Sequence, residues 1–476
     1  MAWQKPKIGV FYVGLQRYWS QFPGLRERLE NHYDYFVQRL QGYGCEVVSA
    51  GLVDTVDKAR AAAVFFNQHD VDLVMCNMVT YATSATVFPV FRQTLAPIVL
   101  VGLQPLEHLD YPRTTTAHQL ENDNCTSLPE LGYVLTRAGI PFEVVFGKLE
   151  DEMVWAELDE WCQVAKVLRN LRYGTLGFLG HTYDGMLDMC FDPALFHIQF
   201  GLNIKFLEMC DFYGKVQAVT PEEQREEMEL IRAYFDFPQP GSDPIAKEVD
   251  PEALAWAAKV SVGLRYFIED QQCHGLAYFY RGVPGGDYER LIAGMIVGNS
   301  LLTGRGIPVA GEGDMKTCVS MFIMHGFGAG GSFAELHPVD FNDNLVLIGH
   351  DGPGHILISD EKPKLRGLSL YHGKQGFGVS TEFKVRTGPV TLLTLTQDYD
   401  GSFKFVCAEG ESLPGPIPST GNTNSRIRFR EDVRSFVESW SRAGVSHHLA
   451  LGIGKQIGKI KKLGHALGME VCVVSE

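Results

Sequence analysis

The chain lacks several patterns that would have settled its class at once: a CxxC pair, a basic run interleaved with aromatics, a fixed-period repeat, a low-complexity segment. Nor does any apolar stretch approach the roughly 20 residues of a membrane span. Its ten cysteines are scattered, and several sit inside apolar runs, as Cys76 does in DLVMCNM and Cys472 in MEVCVVS. They read as buried free thiols. The opening MAWQKPKIGVFYVGLQRYWS has too short an apolar region for an export signal. A reducing cytoplasm is therefore the expected compartment. The formal net charge of −15 argues against a nucleic-acid or anionic-membrane partner, which would select a basic face. The one lysine cluster, Lys455 to Lys462, reads as a solvated helix face.

What is present is the composition of an ordinary globular protein, 45% hydrophobic and 21% charged over 476 residues. A single core rarely grows past about 250–300 residues, so two or three domains are expected. The first third alternates apolar runs (8–14, 45–51, 72–78 and 97–103) with helical stretches, the pattern of a parallel sheet covered on both faces. A second α/β unit begins at TLGFLGH and runs through a Pro/Gly-rich break at 237–244 to IPVAGEG (307–313). After about residue 340 the texture changes to short strands separated by Gly, Asp and Pro turns, among them 344–350, 354–359, 377–385, 390–398 and 403–410. That spacing predicts an antiparallel barrel or sandwich. The expected architecture is two Rossmann-like parallel α/β domains, 1–172 and 173–335, followed by a β-rich, barrel-like domain over 336–476.

Chemistry concentrates late in the chain. Glu312 in VAGEGDMKT, Glu335 in GGSFAELHP, His350 in VLIGHDG and His448 in SHHLA each lie at the edge of an apolar run. Singly, each reads as a cap or a solvated strand end. Together, two carboxylates and two imidazoles could close around one divalent ion, and this donor mixture suits Mn²⁺, Co²⁺ or Fe²⁺ better than a thiolate-seeking ion. Asp314 could cap the apolar helix that follows Glu312. GFGAGGS (326–332) follows a helix rather than a strand, so it reads as a turn that positions Glu335, not a phosphate cradle.

These stretches resemble the L-arabinose isomerase family, whose members carry an AGEGDWKT segment, then Gly-Gly-x-Ser-Phe-x-Glu, a strand-end His and a His-His pair in that order. The resemblance is strongest from about 308 to 351. It implies a soluble aldose–ketose isomerase in which Glu312, Glu335, His350 and His448 hold a metal of the manganese type, and Glu312 and Glu335 form the acid–base pair. Spacing alone does not separate His447 from His448 as the ligand. The resemblance further implies sugar contacts from Gln16, Tyr81 and Met186. It also implies a homo-oligomer, trimer or hexamer, in which Gln16 and Tyr81 serve a neighbour's metal. His337 and His355 lie close enough in sequence to orient a carboxylate or substitute as ligands, whereas His181 and His325 read as structural.

The chain departs from the family at several places, among them the run after His350, which reads DGPGH. The tryptophan of EGDWKT is Met315, and Thr126 stands where a substrate-contacting histidine is expected. Losing a polar partner of a buried hydroxyl changes discrimination strongly, so the departures bear on which sugar is bound more than on the chemistry. An epimerase or aldolase working through the same enediolate, and a non-catalytic sugar-binding paralogue, are the alternatives.

Overall fold

Five apolar runs separated by helices build the first sheet: β1 (Lys7–Val13), β2 (Glu46–Val53), β3 (Leu73–Asn77), β4 (Ile98–Gln104) and β5 (Glu143–Lys148). Their order is β2-β1-β3-β4-β5, and every pairing is parallel. β3 is buried at every position, as a central strand covered on both faces must be. Phe11, Phe66, Phe91 and Leu131 pack into one core with the strand side chains. β5 was not anticipated: it is an edge strand that leaves Val144 and Phe146 exposed, so its apolar signal is short and mixed.

The computed structural model describes residues 3–239, 241, 248–367, 370–371, 374–375, 378–418 and 423–476. The chain forms two compact units that meet between Asn170 and Leu171. Of the Pro/Gly-rich break at 237–244, residues 240 and 242–244 lie outside the described residues. Among the described residues no helix is long and apolar enough to cross a membrane.

The second unit opens with a smaller parallel sheet, β6 (Thr175–Gly180), β7 (Asn203–Leu207), β8 (Gly275–Phe279) and β9 (Val309–Ala310), in the order β7-β6-β8-β9. The remaining strands are β10 (Gly330–Asp340), β11 (Leu345–His350), β12 (Lys364–Gly367), β13 (Leu370–Tyr371), β14 (Lys374–Gln375), β15 (Val379–Glu382), β16 (Gly388–Gln397), β17 (Phe403–Leu413), β18 (Thr423–Arg428), β19 (His448–Ile453) and β20 (Glu470–Ser475). β16-β19-β10-β11-β18-β17 is an antiparallel ribbon closed by the β16–β17 pairing, and β20 adds in parallel to β17. The expected succession of parallel α/β sheets and a C-terminal barrel is borne out.

The apolar helix Met315–Gly326 is buried at every position but His325, as a helix enclosed on all sides should be. It packs against β10, β16 and β19. β10 bulges between Leu336 and Val339, where Pro338 has no N–H to give the ladder. Two readings are corrected. GHILIS forms a 3-10 turn, Ile356–Ile358, instead of a strand, because Ser300 and Ser332 hydroxyls take the Gly354 and His355 amides that a ladder would need. Lys459 is not solvated: it is buried, and its Nζ donates to Phe327 O at 3.3 Å.

Closure of the barrel next to the site depends on Gly349. A Cβ there would lie 1.7 Å from Thr423 O on β18. Gly349→Ala must push the two strands apart, and overpacking typically costs about 1–3 kcal/mol. A lowered denaturation midpoint is the expected result; a wild-type midpoint would show that the close approach is not needed.

Candidate metal and active site

Glu312 is presented by a strained turn. Its φ of 57° is left-handed, a conformation that costs a non-glycine residue about 1–3 kcal/mol. Three backbone bonds enforce it: Tyr183 N to Glu312 O at 2.9 Å, Gly313 N to Tyr278 O at 3.0 Å and Asp314 N to Gly311 O at 3.0 Å. Gly313 is needed as well, since a Cβ on it would meet His181 O at 2.5 Å. The turn ends β9 after two residues and aims Glu312 out of the carboxyl edge of the parallel sheet, where such folds bind ligands.

The barrel supplies the other groups. Glu335 on β10 pairs in register with His448 on β19 and with Gly349 on β11, so His350 lies one residue away. The Phe333 ring is packed against both imidazoles, with centroids 4.6 Å from His350 and 4.3 Å from His448. Donor atoms of Glu335, His350 and His448 lie within 4.8 Å of one another, and so do those of Glu312, His447 and His448. Glu312 Oε1 is 3.9 Å from His350 Nε2, and its Oε2 is 3.5 Å from His448 Nε2. The four residues singled out in the sequence therefore converge. His447 joins them at one edge, and His355 stands apart from both groups.

The imidazoles are buried and the carboxylates are not. His448 is fully enclosed, whereas the Glu312 and Glu335 side chains keep 24% and 32% of their surface exposed, so a ligand approaches from the carboxylate side. Behind His448 stands Asp314, also fully buried. Its carboxylate accepts from Thr317 N at 2.9 Å, Thr317 Oγ1 at 2.8 Å and His448 Nδ1 at 3.1 Å. Burial pushes the Asp314 carboxyl up, but the His448 ring and Thr317 outweigh it and hold it below the usual range. An ionised carboxylate only accepts, so His448 Nδ1 carries a proton, and in the neutral ring the lone pair lies on Nε2, facing the cluster. Among the described residues that Nε2 is buried without a hydrogen-bond partner. An orphaned imidazole nitrogen, oriented by a carboxylate and surrounded by two more carboxylates, fits a divalent metal ion.

Glu335 is ionised too. Burial raises its carboxyl, but the His337 hydrogen bond and the rings of His350, His337 and His448 bring it down to about 2. His337 Nε2 lies 3.2 Å from Glu335 Oε1, and its Nδ1 meets Asn424 Oδ1, so His337 orients the carboxylate.

The remaining sequence candidates fall as follows. Met186 is half-buried on the loop after β6, and its amide donates to Tyr183 O, the residue whose own amide holds Glu312. Gln16 and Tyr81 belong to the first unit, at the carboxyl ends of β1 and β3; Gln16 is exposed, and the Tyr81 hydroxyl donates to Glu130 at 3.1 Å. Thr126 is exposed at the start of the helix Ser127–Ala138. His181 is exposed at the sheet edge, with Nδ1 2.7 Å from Thr182 O. Asp188, Phe333 and Asn424 went unnoticed in the sequence, since nothing local marks a residue whose partner lies far along the chain.

Asp314 generates a direct test. Asp314→Asn keeps the size and the helix cap but weakens the charge behind His448, and loss of such a partner lowers metal affinity about 10–100-fold. Mn²⁺ titration of the metal-free variant reads this, and an unchanged Kd would refute the role given to Asp314.

Residues 330–470 match the L-arabinose isomerase C-terminal domain family. The chain is 23% identical over 443 residues to the L-arabinose isomerase of Aeromonas hydrophila subsp. hydrophila, covering 89% of this chain and 85% of that one. It is 21% identical to that of Aeromonas salmonicida over 98% of this chain and 94% of the relative. The L-arabinose isomerase of Bacillus subtilis (strain 168) is 23% identical, with 78% and 76% covered. Low in identity but similar over most of its length to L-arabinose isomerases, the chain has the pattern of a divergent relative of that family.

Proposed function

We propose that the protein is a metal-dependent aldose–ketose isomerase, acting in the cytoplasm as a homo-oligomer on a pentose, hexose or deoxyhexose. One observation carries the metal dependence: His448 Nε2, without a hydrogen-bond partner among the described residues, is backed by Asp314 and aimed into a cluster of Glu312, Glu335 and His350. Mn²⁺ is the favoured ion, with Co²⁺ or Fe²⁺ as the other candidates for this oxygen and imidazole set. The relatives' names carry the sugar isomerisation.

An aldose and its ketose differ by one proton moved between C1 and C2 and one moved between their oxygens. A divalent ion held by Glu312, Glu335, His350 and His448 would supply the polarisation of the carbonyl that makes the carbon acid labile. The chain's own residues manage the protons. One of the two glutamates, ionised and open to the ligand side, takes the proton from one carbon and returns it to the neighbouring carbon on the same face. The other moves the hydroxyl proton between the oxygens. His337 holds Glu335 in place, and the backbone of the Glu312 turn keeps that carboxylate from swinging away.

Metal-stripped protein assayed for ketose across a panel of pentoses, hexoses and 6-deoxyhexoses tests the reading. Ketose formation restored by Mn²⁺ is the expected outcome. Glu312→Gln and Glu335→Gln should each lower kcat about 10²–10⁴-fold, the usual contribution of a general acid or base. No ketose from any sugar, with Mn²⁺ shown to be bound, would overturn the proposal.

A further inference from the structure

Asp188 lies in the 3-10 turn Leu187–Met189 on the loop that follows β6, two residues beyond Met186. Its carboxylate turns towards the start of β19, more than 250 residues further along. Asp188 Oδ2 accepts from His447 N at 2.9 Å, from His447 Nδ1 at 2.6 Å and from Ser446 Oγ at 3.2 Å. The Asp188 carbonyl takes the Nζ of Lys316, a buried lysine on the helix that Asp314 caps. One residue therefore ties together the loop bearing Met186, the helix behind the cluster and the Ser446–His447 approach to β19.

The consequence falls on His447. A donor atom of His447 lies within 4.8 Å of donor atoms of Glu312 and His448. Its Nδ1 is committed to Asp188, so the nitrogen left for that edge is Nε2, bare when the ring is neutral. In the opposite tautomer the proton sits on Nε2 and the lone pair on Nδ1, so the nitrogen facing the cluster can only donate. We propose that Asp188 is a positioning residue: it fixes the tautomer and direction of His447 so that Nε2 serves the Glu312–His448 edge, and it locks the Met186 loop to that edge. Asp188 does not touch the sugar; it acts through His447. The proposal rests on the isomerase reading for its kinetic consequence, but not for its structural one.

The test compares wild type, Asp188→Ala, His447→Ala and the double variant, with Asp188→Asn as an isosteric reserve should the alanine variant fold poorly. Nitrogen-15 spectra of the metal-free, histidine-labelled protein read the tautomer. His447 should be Nδ1-protonated in the wild type and shift towards the Nε2-protonated form without Asp188. In turnover, Asp188→Ala should lower kcat about 10–100-fold, with less than about a twofold further loss when His447 is already alanine. An unchanged tautomer, or an equal loss of kcat in both backgrounds, would overturn the proposal and leave Asp188 a structural anchor. Absence of turnover in the wild type would count against the isomerase reading alone, because the tautomer still reports on Asp188.

Discussion

The hydrogen bond between Asp314 and His448 organises the second unit. A fully buried carboxylate is costly unless its oxygens are satisfied, and here Thr317 and His448 satisfy them. The same carboxylate starts the helix Met315–Gly326, which packs against β10, β16 and β19. The position of Glu312 follows from the same place, since the Gly311–Asp314 turn that caps the helix also forces its left-handed backbone. Removing the pair would loosen a helix end, a cluster imidazole and a turn together.

From that pair outward, the site is held by elements that have little freedom. Glu335 and His448 are cross-strand neighbours in a closed barrel, so their separation is set by the ladder. His350 ends β11 where Gly349 lets two strands approach more closely than any other residue would allow. Phe333 packs against both rings, which also lie against each other with centroids 5.3 Å apart. Placing donors on strands and a pinned turn fixes the geometry more tightly than loops could, which electrostatic work at a reacting centre requires.

The sequence was informative where chemistry and local pattern coincide. Glu312 and His350 could be read because each follows an apolar run, and β3 could be read because a strand buried on both faces is apolar throughout. The helix Pro251–Gln271 begins at a proline capped by Asp250, a start that local pattern marks plainly. β10 was hidden by its glycine-rich start and by Pro338, although it carries Glu335. GHILIS carried a strand's composition but forms a turn, because serine hydroxyls distant in sequence take its amides. The supports of the site were legible least of all. Asp314 was visible only as a cap, and nothing near Asp188 or Asn424 announces a histidine partner across the fold.

The departures from the family pattern now have different weights. Met315 is the first residue of its helix and is wholly buried. Thr126 is another matter, being exposed at a helix start on the carboxyl side of the first sheet, where open α/β sheets bind ligands. The cluster of Glu312, Glu335, His350 and His448 belongs to the second unit and Thr126 to the first, so the residues proposed to hold the metal and the departure at Thr126 lie on separate parts of the chain.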